Sequence, residues 1–429
     1  MGDRVLLKKR PIFFFVVFWG ARFRCYFANV LLRSLLAPGN LPVLARSDGH
    51  KLLVCCPEDD WFAVRAHPAF AAVTCHVELV HIPLEPPPHG RHPVDHMSVG
   101  HRHAAAVCFD AKAYGSLLHP DMLFADGFVA SLCRHIAEGT QALLVPALRL
   151  AQSRLFANFG LDADRDAGDA LVFSPRAITA ASIESLHDEI AECEIDGPRF
   201  SLLPNSVWWR ACEQGLLVHS FSWSPLLIDY SAVTQHVTEG LGGPLADGDY
   251  VARNMRPEAQ IAFVADSDDI VFASWTPDAV GARDGGRSVL QNLPVFGQAL
   301  RRAILRRAYR YYTRELYPFG DHVKAKGFRV PLKFHTRDFD RSWDAVEATA
   351  GREIAAAVGD LLEPPLCPPS WRTRVLDWIG FALPAYESVQ RALASLRFIR
   401  RRAIAALCGD ADARAWILDR LRARLGIRS

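Results

Sequence analysis

The chain has 429 residues, of which 50% are hydrophobic, so it buries at least one sizeable core and is not a disordered protein. Its 49 basic and 47 acidic residues leave a net charge of +2, so no global field favours nucleic acid, and we expect no nucleic-acid partner. The ten cysteines include no C-x-x-C pair. This pattern indicates reduced thiols in a cytosol rather than a zinc site or a disulfide framework.

Basic residues and a short apolar run open the chain, as they do in a signal peptide. The run from Ile12 to Gly20 has nine residues and is followed at once by Arg22 and Arg24. A bilayer span needs about 20 apolar residues. We therefore predict that this run is one fully buried parallel strand, and that FRCYFANVLLRSLL after it is a helix.

Two further strands follow, KLLVCC and HVELVHI, and then a stretch rich in proline and histidine from Pro83 to Pro93. Seven of the 16 histidines lie between His76 and His103, which suggests a metal site. No helical i, i+4 pair with a third ligand stands out, however. We interpret the stretch as a loop.

The next segment predicts a helix from Met97 that ends at Gly115, and then a strand, SLLHP, that leads to Asp121. We expect Asp126 to cap the helix GFVASLCRHIAEG, Gly139 to close it, and QALLVPAL to be another strand. Strands alternate with helices over the first 150 residues. This alternation predicts an open, mainly parallel α/β sheet with helices on both faces.

The second half is less regular. Apolar and polar residues alternate over 208–230, which predicts strands, and residues 261–275 predict one strand that runs into an acidic turn. Between them, GLGGPLADGDY is a glycine-rich loop without the spacing of a P-loop. After Gly285-Gly286 the chain becomes helical and arginine-rich, with ten arginines against four acidic residues from Glu387 to the end. Such basic helices lie on an acidic membrane surface or present a solvated face over a helical core, and both interpretations stay open.

Two acidic motifs follow predicted strands. Ligands of open α/β sheets bind at the carboxyl ends of the strands, where one or two carboxylates can hold Mg²⁺ or Mn²⁺ against a diphosphate. Asp121 follows one strand, and Asp266-Ser267-Asp268-Asp269 follows another. Three interpretations of the second motif stay open. It is a metal site with Asp266 as a ligand, it supplies a catalytic base at Asp268 or Asp269, or it is an acidic turn.

A third candidate is His219, which follows an apolar run in GLLVHSFSWSP. Trp208, Trp209 and Trp223 lie near it in the sequence. Together they indicate either a catalytic histidine with aromatic rings that stack on a sugar, or an ordinary aromatic core.

The order of elements over about residues 11 to 150 resembles the nucleotide-binding half of GT-A glycosyltransferases. In that family a strand ends in a D-x-D-type or N-P-D-type motif whose last aspartate holds the metal and the sugar-nucleotide diphosphate. The resemblance implies that Asp121 of His119-Pro120-Asp121 is this aspartate, with His119 where Asp or Asn is expected. It also implies that His101 and Arg102 face the diphosphate or the donor sugar, and we count His119 with them among the residues that bind the donor.

We therefore predict a GT-A-like, Rossmann-like catalytic domain over residues 1–285, with a nucleotide-sugar half (1–150) and an acceptor half (151–285), and a helical region over 286–429. The expected function is metal-assisted transfer of a sugar from a nucleotide sugar to a glycan or lipid-linked acceptor, in bacterial surface-polysaccharide assembly. We expect a cytoplasmic protein with peripheral contact to the inner membrane. The alternatives are a non-catalytic peripheral or scaffold protein with a degenerate transferase fold, and a sugar nucleotidyltransferase.

Overall fold

The chain forms two compact units. The larger comprises Met1–Ala282 and Ala308–Pro364, and the smaller comprises Arg283–Arg307 and Pro365–Ser429. The structure is a computed structural model that describes residues 10–88, 92–146, 148–164, 167–197, 200–238, 249–278, 297–315, 321–362 and 374–379. The predicted division at residue 285 stays a prediction, because much of the C-terminal region lies outside these residues.

The strands of the described residues build three sheets in the larger unit. In chain order they are β1 (Ile12–Val17), β2 (Lys51–Cys56), β3 (Glu78–Pro83), β4 (Tyr114–Leu118), β5 (Met122–Phe124), β6 (Ala142–Pro146), β7 (Arg149–Ala151), β8 (Ser206–Cys212), β9 (Gly215–Ser220), β10 (Trp223–Asp229), β11 (Ile261–Phe263), β12 (Phe272–Thr276) and β13 (Leu332–His335).

Helices precede or follow these strands along the chain. In chain order they are α1 (Gly20–Tyr26), which continues through a π-helical turn into α2 (Leu32–Leu35), α3 (Glu58–Arg65), α4 (Pro68–Val73), α5 (Pro93–Asp110), α6 (Phe128–Ala137), α7 (Gln152–Phe159), α8 (Pro175–Glu184), α9 (Asp188–Ala191), α10 (Asp249–Asn254), α11 (Gly297–Arg310), α12 (Asp321–Phe328) and α13 (Arg341–Leu362).

The central sheet has seven strands in the order β3-β2-β1-β4-β10-β6-β11. Neighbouring strands are parallel except for the two pairs that β10 makes with β4 and β6. In two smaller sheets, β12 lies between β5 and β7, and β9 lies between β8 and β13. The predicted α/β class with a mainly parallel sheet is confirmed.

Both faces of the central sheet are buried. Alternate residues of a strand point to opposite faces, so β1 shows this directly. Phe14 and Val16 of β1 belong to one core, which includes residues of α1, α2, α4 and α6. Phe13 and Phe15 belong to a second core, which includes residues of α5 and α10. A continuous apolar run therefore suits β1, and the prediction of a fully buried parallel strand is confirmed.

The helix α5 differs from its prediction at both ends. It begins at Pro93, in the stretch that we interpreted as a loop, because proline suits the first helical position and the His92 ring accepts the Val94 N–H at 3.3 Å. It ends at Asp110, and Gly115 belongs to β4. A Cβ on Gly115 would lie 2.4 Å from the Tyr230 ring, so close packing explains this glycine.

Asp126 does not cap α6, so that prediction was wrong. The N-cap of α6 is Gly127, at φ 94°, and no side chain caps the helix. The Asp126 Oδ1 atom instead accepts the Gly39 N–H at 2.6 Å and ties the turn after α2 to the start of α6. Gly139 closes this helix at φ 86°, as predicted.

The predicted strand over 261–275 is two strands, β11 and β12, in different sheets. The acidic segment between them is held by β13: Ser267 N–H donates to the Lys333 carbonyl at 2.9 Å, and Lys333 N–H donates to the Ala265 carbonyl at 2.8 Å. β13 lies in the region that was predicted to be helical. The loop GLGGPLADGDY lies mostly outside the described residues, and its last two residues begin α10.

In the smaller unit, Arg306 of α11 is 3% exposed and its Nε lies 2.5 Å from Asp377 Oδ1. The basic segment from Glu387 to the end lies outside the described residues. Within the part of the chain that is described, no helix combines the length and apolar character that a membrane crossing requires.

Candidate functional site

Two polar regions lie at the carboxyl edge of the central sheet. The first follows β4, and the second follows β11. Three strand intervals separate β4 from β11 in the sheet order, which corresponds to about 14 Å at the usual spacing between strands. The two predicted acidic motifs are therefore separate regions of one edge.

At the end of β4, Asp121 is followed directly by β5. Met122 of β5 pairs with Ser274 of β12, and Ser274 pairs on its other side with Arg149 of β7. Burial raises the pKa of the Asp121 carboxyl above its ordinary value, while His119, Arg149 and Arg22 lower it in part. Arg149 and Arg22 thus contribute positive charge to the surroundings of this carboxylate.

His101 lies under this edge and is 0% exposed. Its ring makes edge contacts with His119 and Phe15 at centroid distances of 5.7 and 6.3 Å. Burial and then the nearby His119 hold the pKa of His101 well below its ordinary value, so the ring is neutral at pH 7. Arg102, the next residue of α5, is only partly buried. The predicted donor-binding roles of His101, Arg102 and His119 stay predictions.

The second region is built on the segment after β11. Ser267 is fully buried, and its hydroxyl accepts the His335 N–H at 3.1 Å and donates to the His335 carbonyl at 3.3 Å. The Asp266 carboxylate accepts the Asp268 N–H at 2.8 Å. These bonds fix two aspartates against the end of β13.

Asp266, Asp268 and His335 each offer a ligand atom, and the three atoms lie within 4.8 Å of one another. Asp121 is not part of this group. Two carboxylates and an imidazole suit Mn²⁺ better than Mg²⁺, because Mg²⁺ prefers oxygen ligands alone. The residues therefore fit the predicted divalent cation.

His335 is 1% exposed, and both of its ring nitrogens face acceptors. Nδ1 lies 2.7 Å from the Arg337 carbonyl oxygen, and Nε2 lies 2.9 Å from Asp266 Oδ1. A carbonyl can only accept, so Nδ1 carries a proton. Nε2 then either carries a second proton and pairs with Asp266, or offers its lone pair to a cation. A carbonyl that accepts the other N–H is the usual means of orienting a metal-binding histidine.

A guanidinium already contacts this group. Arg176, at the start of α8, donates to Asp268 at 2.9 Å and to Asp338 at 2.6 Å. These pairs raise the pKa of Arg176 and lower the pKa of Asp338. A cation that binds Asp268 would therefore compete with Arg176 for the carboxylate.

Asp269, the other predicted base, is turned toward α6. His135 Nε2 lies 2.9 Å from Asp269 Oδ2, and Arg134 pairs with Oδ1. Burial raises the pKa of the Asp269 carboxyl, but the hydrogen bond and charge of His135 and the charge of Arg134 outweigh it, and the net pKa lies below the ordinary value. Asp269 is therefore ionised at neutral pH, and both its oxygens are engaged.

His219 lies inside the packing of β9 and is 7% exposed. Its Nδ1–H donates to the Phe328 carbonyl at 2.8 Å, and its ring makes an edge contact with Trp209 at 5.8 Å. Burial lowers the pKa of His219 to about 4. These contacts are those of a neutral core histidine, and its catalytic role stays a prediction.

The sequence did not reveal His335, Arg176 or the cations near Asp121. His335 is 69 residues from Asp266 and ends a strand of only four residues, so no spacing links the two. Ser174 and Pro175 indicate the start of a helix, but no nearby residue in the sequence indicates which carboxylates Arg176 binds.

No protein-family model matches the sequence, and no curated protein matches it. Among solved structures, mouse xyloside xylosyltransferase 1 is similar at 10% identity and a TM-score of 0.23, over 37% of this chain and 61% of that one. The mannosyltransferase PcManGT from Pyrobaculum calidifontis, in complex with GDP-Man and Mn²⁺, is similar at 12% identity and 0.29, over 93% and 87%. S. aureus TarS is similar at 12% identity and 0.31, over 87% and 55%.

This chain thus spans less than two thirds of the xylosyltransferase and of TarS. The xylosyltransferase and the mannosyltransferase are glycosyltransferases, the class that the sequence resemblance named. TM-scores of this size carry no argument about family or activity, so a functional conclusion must rest on the site itself.

Proposed function

We propose that the chain is a glycosyltransferase that uses a nucleotide-sugar donor and a divalent cation, with Asp266, Asp268 and His335 as the cation's ligands. The observation that carries this proposal is the three-residue group at the carboxyl edge of a mainly parallel sheet, with His335 oriented by the Arg337 carbonyl. When bound, Mn²⁺ would neutralise the charge of the leaving diphosphate.

The proposed reaction breaks the bond between the anomeric carbon of the donor and the diphosphate oxygen. A new bond joins that carbon to an acceptor hydroxyl oxygen, and the hydroxyl proton passes to a carboxylate. Asp268 is an exposed member of the group that Arg176 contacts, whereas Asp269 is half-buried and is held by His135 and Arg134. Exposure favours Asp268 as the acceptor of the proton.

The variant Asp268→Asn separates two roles for this residue. A residue that serves only as the base would keep the wild-type affinity for Mn²⁺ and lose turnover. A residue that serves as a metal ligand would lose both. Asp121→Asn is the companion variant for the alternative site at the end of β4, where Arg22 and Arg149 contribute positive charge.

A second candidate function is that of a non-catalytic scaffold with a degenerate transferase fold. The observation that favours it is that both carboxylates of the group already have cationic partners: Arg176 contacts Asp268 and, when protonated, His335 pairs with Asp266. Such a group is neutralised without any metal. In that case neither Mn²⁺ nor a nucleotide sugar would bind.

A thermal-shift screen distinguishes the two functions. The protein is melted with UDP-, GDP-, dTDP- and CMP-linked sugars, each with and without Mn²⁺, because a ligand that binds only the folded state raises the melting temperature. The transferase proposal expects a metal-dependent rise with one nucleotide, lost in His335→Gln and kept in His103→Gln, which changes an exposed histidine. A flat screen on folded protein would reject it in favour of the scaffold.

We also propose that the acceptor is a glycan or a lipid-linked molecule and that the protein acts in bacterial surface-polysaccharide assembly. We further propose that it is a cytoplasmic protein in contact with the inner membrane. What supports membrane contact is the basic composition of the C-terminal segment. Sedimentation with vesicles that contain anionic lipid, compared with neutral vesicles, tests this part. Equal recovery with both kinds of vesicle would refute it.

A further inference from the structure

Arg176 shares its guanidinium between a candidate metal ligand and a second carboxylate. Its Nη2 atom lies 2.9 Å from Asp268 Oδ2 and 2.6 Å from Asp338 Oδ1, and its Nε atom lies 3.3 Å from both carboxylate oxygens of Asp268. Asp268 belongs to the metal group, whereas Asp338 does not. One arginine therefore links the candidate ligands to a carboxylate outside their group.

All three of these side chains are open to solvent. The side chain of Arg176 is 43% exposed, that of Asp268 is 37% exposed and that of Asp338 is 89% exposed. Ion pairs between exposed groups contribute little to stability, because water and salt screen both charges. A ligand can therefore reach the guanidinium, and the pair with Asp268 can be exchanged for another at small cost.

The backbone of Arg176 is fixed independently of these ion pairs. Arg176 is the second residue of α8, whose N-cap Ser174 accepts a backbone N–H of the first turn at 3.2 Å. Ile178 and Thr179 are fully buried, and α8 contacts β12 and β13. Since β13 ends at His335, Arg176 stays beside the metal group whichever carboxylate it pairs with.

Two neighbouring cations are directed elsewhere. Lys333 pairs with Glu347, and its Nζ atom lies over the Phe339 ring at 4.6 Å. The guanidinium of Arg337 is turned toward Cys212, at the end of β8. Of these three cations in the described part of the chain, Arg176 is therefore the one directed at a candidate metal ligand.

Arg176 and a divalent cation would compete for Asp268. The guanidinium occupies lone pairs of the carboxylate that the cation would use, and two positive charges at such short range repel each other. Asp338 is not a candidate ligand, so it can keep Arg176 beside the group when Asp268 binds the cation. The N–H groups that now donate to Asp268 would then be available to an oxygen of a ligand.

The charges of the loaded group indicate the class of that ligand. With a divalent cation bound, the cation and Arg176 together balance the charges of Asp266, Asp268 and Asp338. Without Arg176 the group would be net negative and would disfavour an anion. A guanidinium donates two parallel hydrogen bonds to phosphoryl oxygens, and a diphosphate has further oxygens that suit a divalent cation. A diphosphate therefore matches the guanidinium and the cation at the same time.

We propose that Arg176 is a diphosphate-binding residue, which pairs with Asp268 in the metal-free protein and binds a diphosphate of the substrate when a divalent cation takes Asp268. This inference rests on the proposed glycosyltransferase function and assigns one of its substrate contacts. Nucleotide sugars and lipid-linked acceptors both carry diphosphates, and the experiment below distinguishes these two sources.

Calorimetric titration of the whole chain tests the proposal. It measures the dissociation constant of Mn²⁺ alone, and that of a diphosphate in the presence of saturating Mn²⁺. The probes are UDP, GDP, dTDP and farnesyl diphosphate, each compared with its monophosphate. We expect at least one diphosphate to bind, and to bind more tightly than its monophosphate. Tighter binding of a nucleoside diphosphate assigns the group to the donor, and tighter binding of farnesyl diphosphate assigns it to the acceptor.

Two variants separate the charge of Arg176 from its shape. In Arg176→Gln, the dissociation constant of Mn²⁺ should fall severalfold, because a competitor for Asp268 is removed. The dissociation constant of the diphosphate should rise about tenfold, the effect of losing one hydrogen bond between charged groups. Arg176→Lys keeps the charge without the planar fork, so both constants should lie between those of the wild-type protein and Arg176→Gln.

Arg154→Gln is the matched control. Arg154 is a similarly exposed arginine of α7, and its guanidinium lies 3.7 Å from a carboxylate oxygen of Asp188. Both dissociation constants should keep their wild-type values in this variant. Circular dichroism of every variant shows whether the fold is retained.

Opposite shifts of the two constants distinguish ligand binding from a structural role, which would shift both in the same direction or neither. A diphosphate that binds Arg176→Gln with wild-type affinity, or a parallel shift of both constants, would overturn the role of Arg176 and leave the proposed glycosyltransferase standing. Failure of the wild-type protein to bind Mn²⁺, or to bind any of the diphosphates with Mn²⁺ present, would overturn both proposals.

Discussion

The hydroxyl of Ser267 connects the stability of the fold with the orientation of the candidate metal ligand. It is fully buried and makes bonds to both the N–H and the carbonyl of His335. The substitution Ser267→Ala leaves almost the same volume but removes the acceptor of a buried N–H. An unsatisfied buried donor costs 1–3 kcal/mol, so we expect the free energy of unfolding to fall by about 2 kcal/mol.

The same change should weaken metal binding, although Ser267 is not a ligand. A direct partner of a metal-binding histidine ring typically contributes 10- to 100-fold to metal affinity. Ser267 binds the main chain of His335 and not its ring, so we expect the dissociation constant for Mn²⁺ to rise by about tenfold, the lower end of that range. Titration with Mn²⁺, followed by the paramagnetic resonance signal of the free ion, measures it. Urea denaturation measures the stability.

Ser34→Ala is the matched control. Ser34 is also fully buried, its hydroxyl accepts the Phe124 N–H at 3.3 Å and donates to the Leu31 carbonyl at 2.8 Å, and it belongs to α2. It should lose similar stability and keep the wild-type affinity for Mn²⁺. Equal Mn²⁺ affinity in the two variants would refute the argument that Ser267 positions His335.

Three other results are expected. Burial raises the pKa of the Asp229 carboxyl, but hydrogen bonds from Arg10 and Ser231 outweigh burial, and the net pKa is lowered. The ionised carboxylate therefore stabilises the fold above about pH 4, and this stabilisation is lost as the pH falls through the lower pKa of the folded protein. Asp229→Asn should flatten the decline of the urea midpoint in that acid range, and an unchanged decline would contradict this. Burial raises the pKa of the Cys56 thiol to about 12, so in the native protein an alkylating reagent should modify the exposed Cys75 first. Mass spectrometry follows the order of modification, and early modification of Cys56 would contradict its burial. Arg176→Gln should tighten Mn²⁺ binding severalfold in a calorimetric titration, because it removes a competitor for a ligand carboxylate, and weaker binding would show that the arginine supports the ion.

Much of the central sheet could be predicted from sequence because its strands are buried on both faces. The runs at β1, β2 and β6 are short and almost wholly apolar, and few structures other than a buried strand accommodate such runs. The boundaries of α5 were harder. Its first turn contains histidine and proline, residues equally common in loops, and only the cap that His92 makes shows that the helix has begun.

The candidate site was predictable only in part, because it joins distant segments. Asp266 and Asp268 could be identified in the sequence as candidate ligands. Their proximity to His335 depends on the hydrogen bonds that join the acidic segment to β13. That strand has four residues and lies in a region that otherwise has a helical pattern. Nothing local to His335 distinguishes it from any other histidine.

The most direct test of the proposed metal centre is the electron spin-echo spectrum of the protein with one equivalent of Mn²⁺. A histidine that ligates Mn²⁺ modulates the echo through its ¹⁴N nucleus. The proposal predicts this modulation in the wild-type protein and its loss in His335→Gln, with the ion then held more weakly by Asp266 and Asp268. Undiminished modulation in His335→Gln, or no bound Mn²⁺ in the wild-type protein, would contradict the metal-assisted glycosyltransferase.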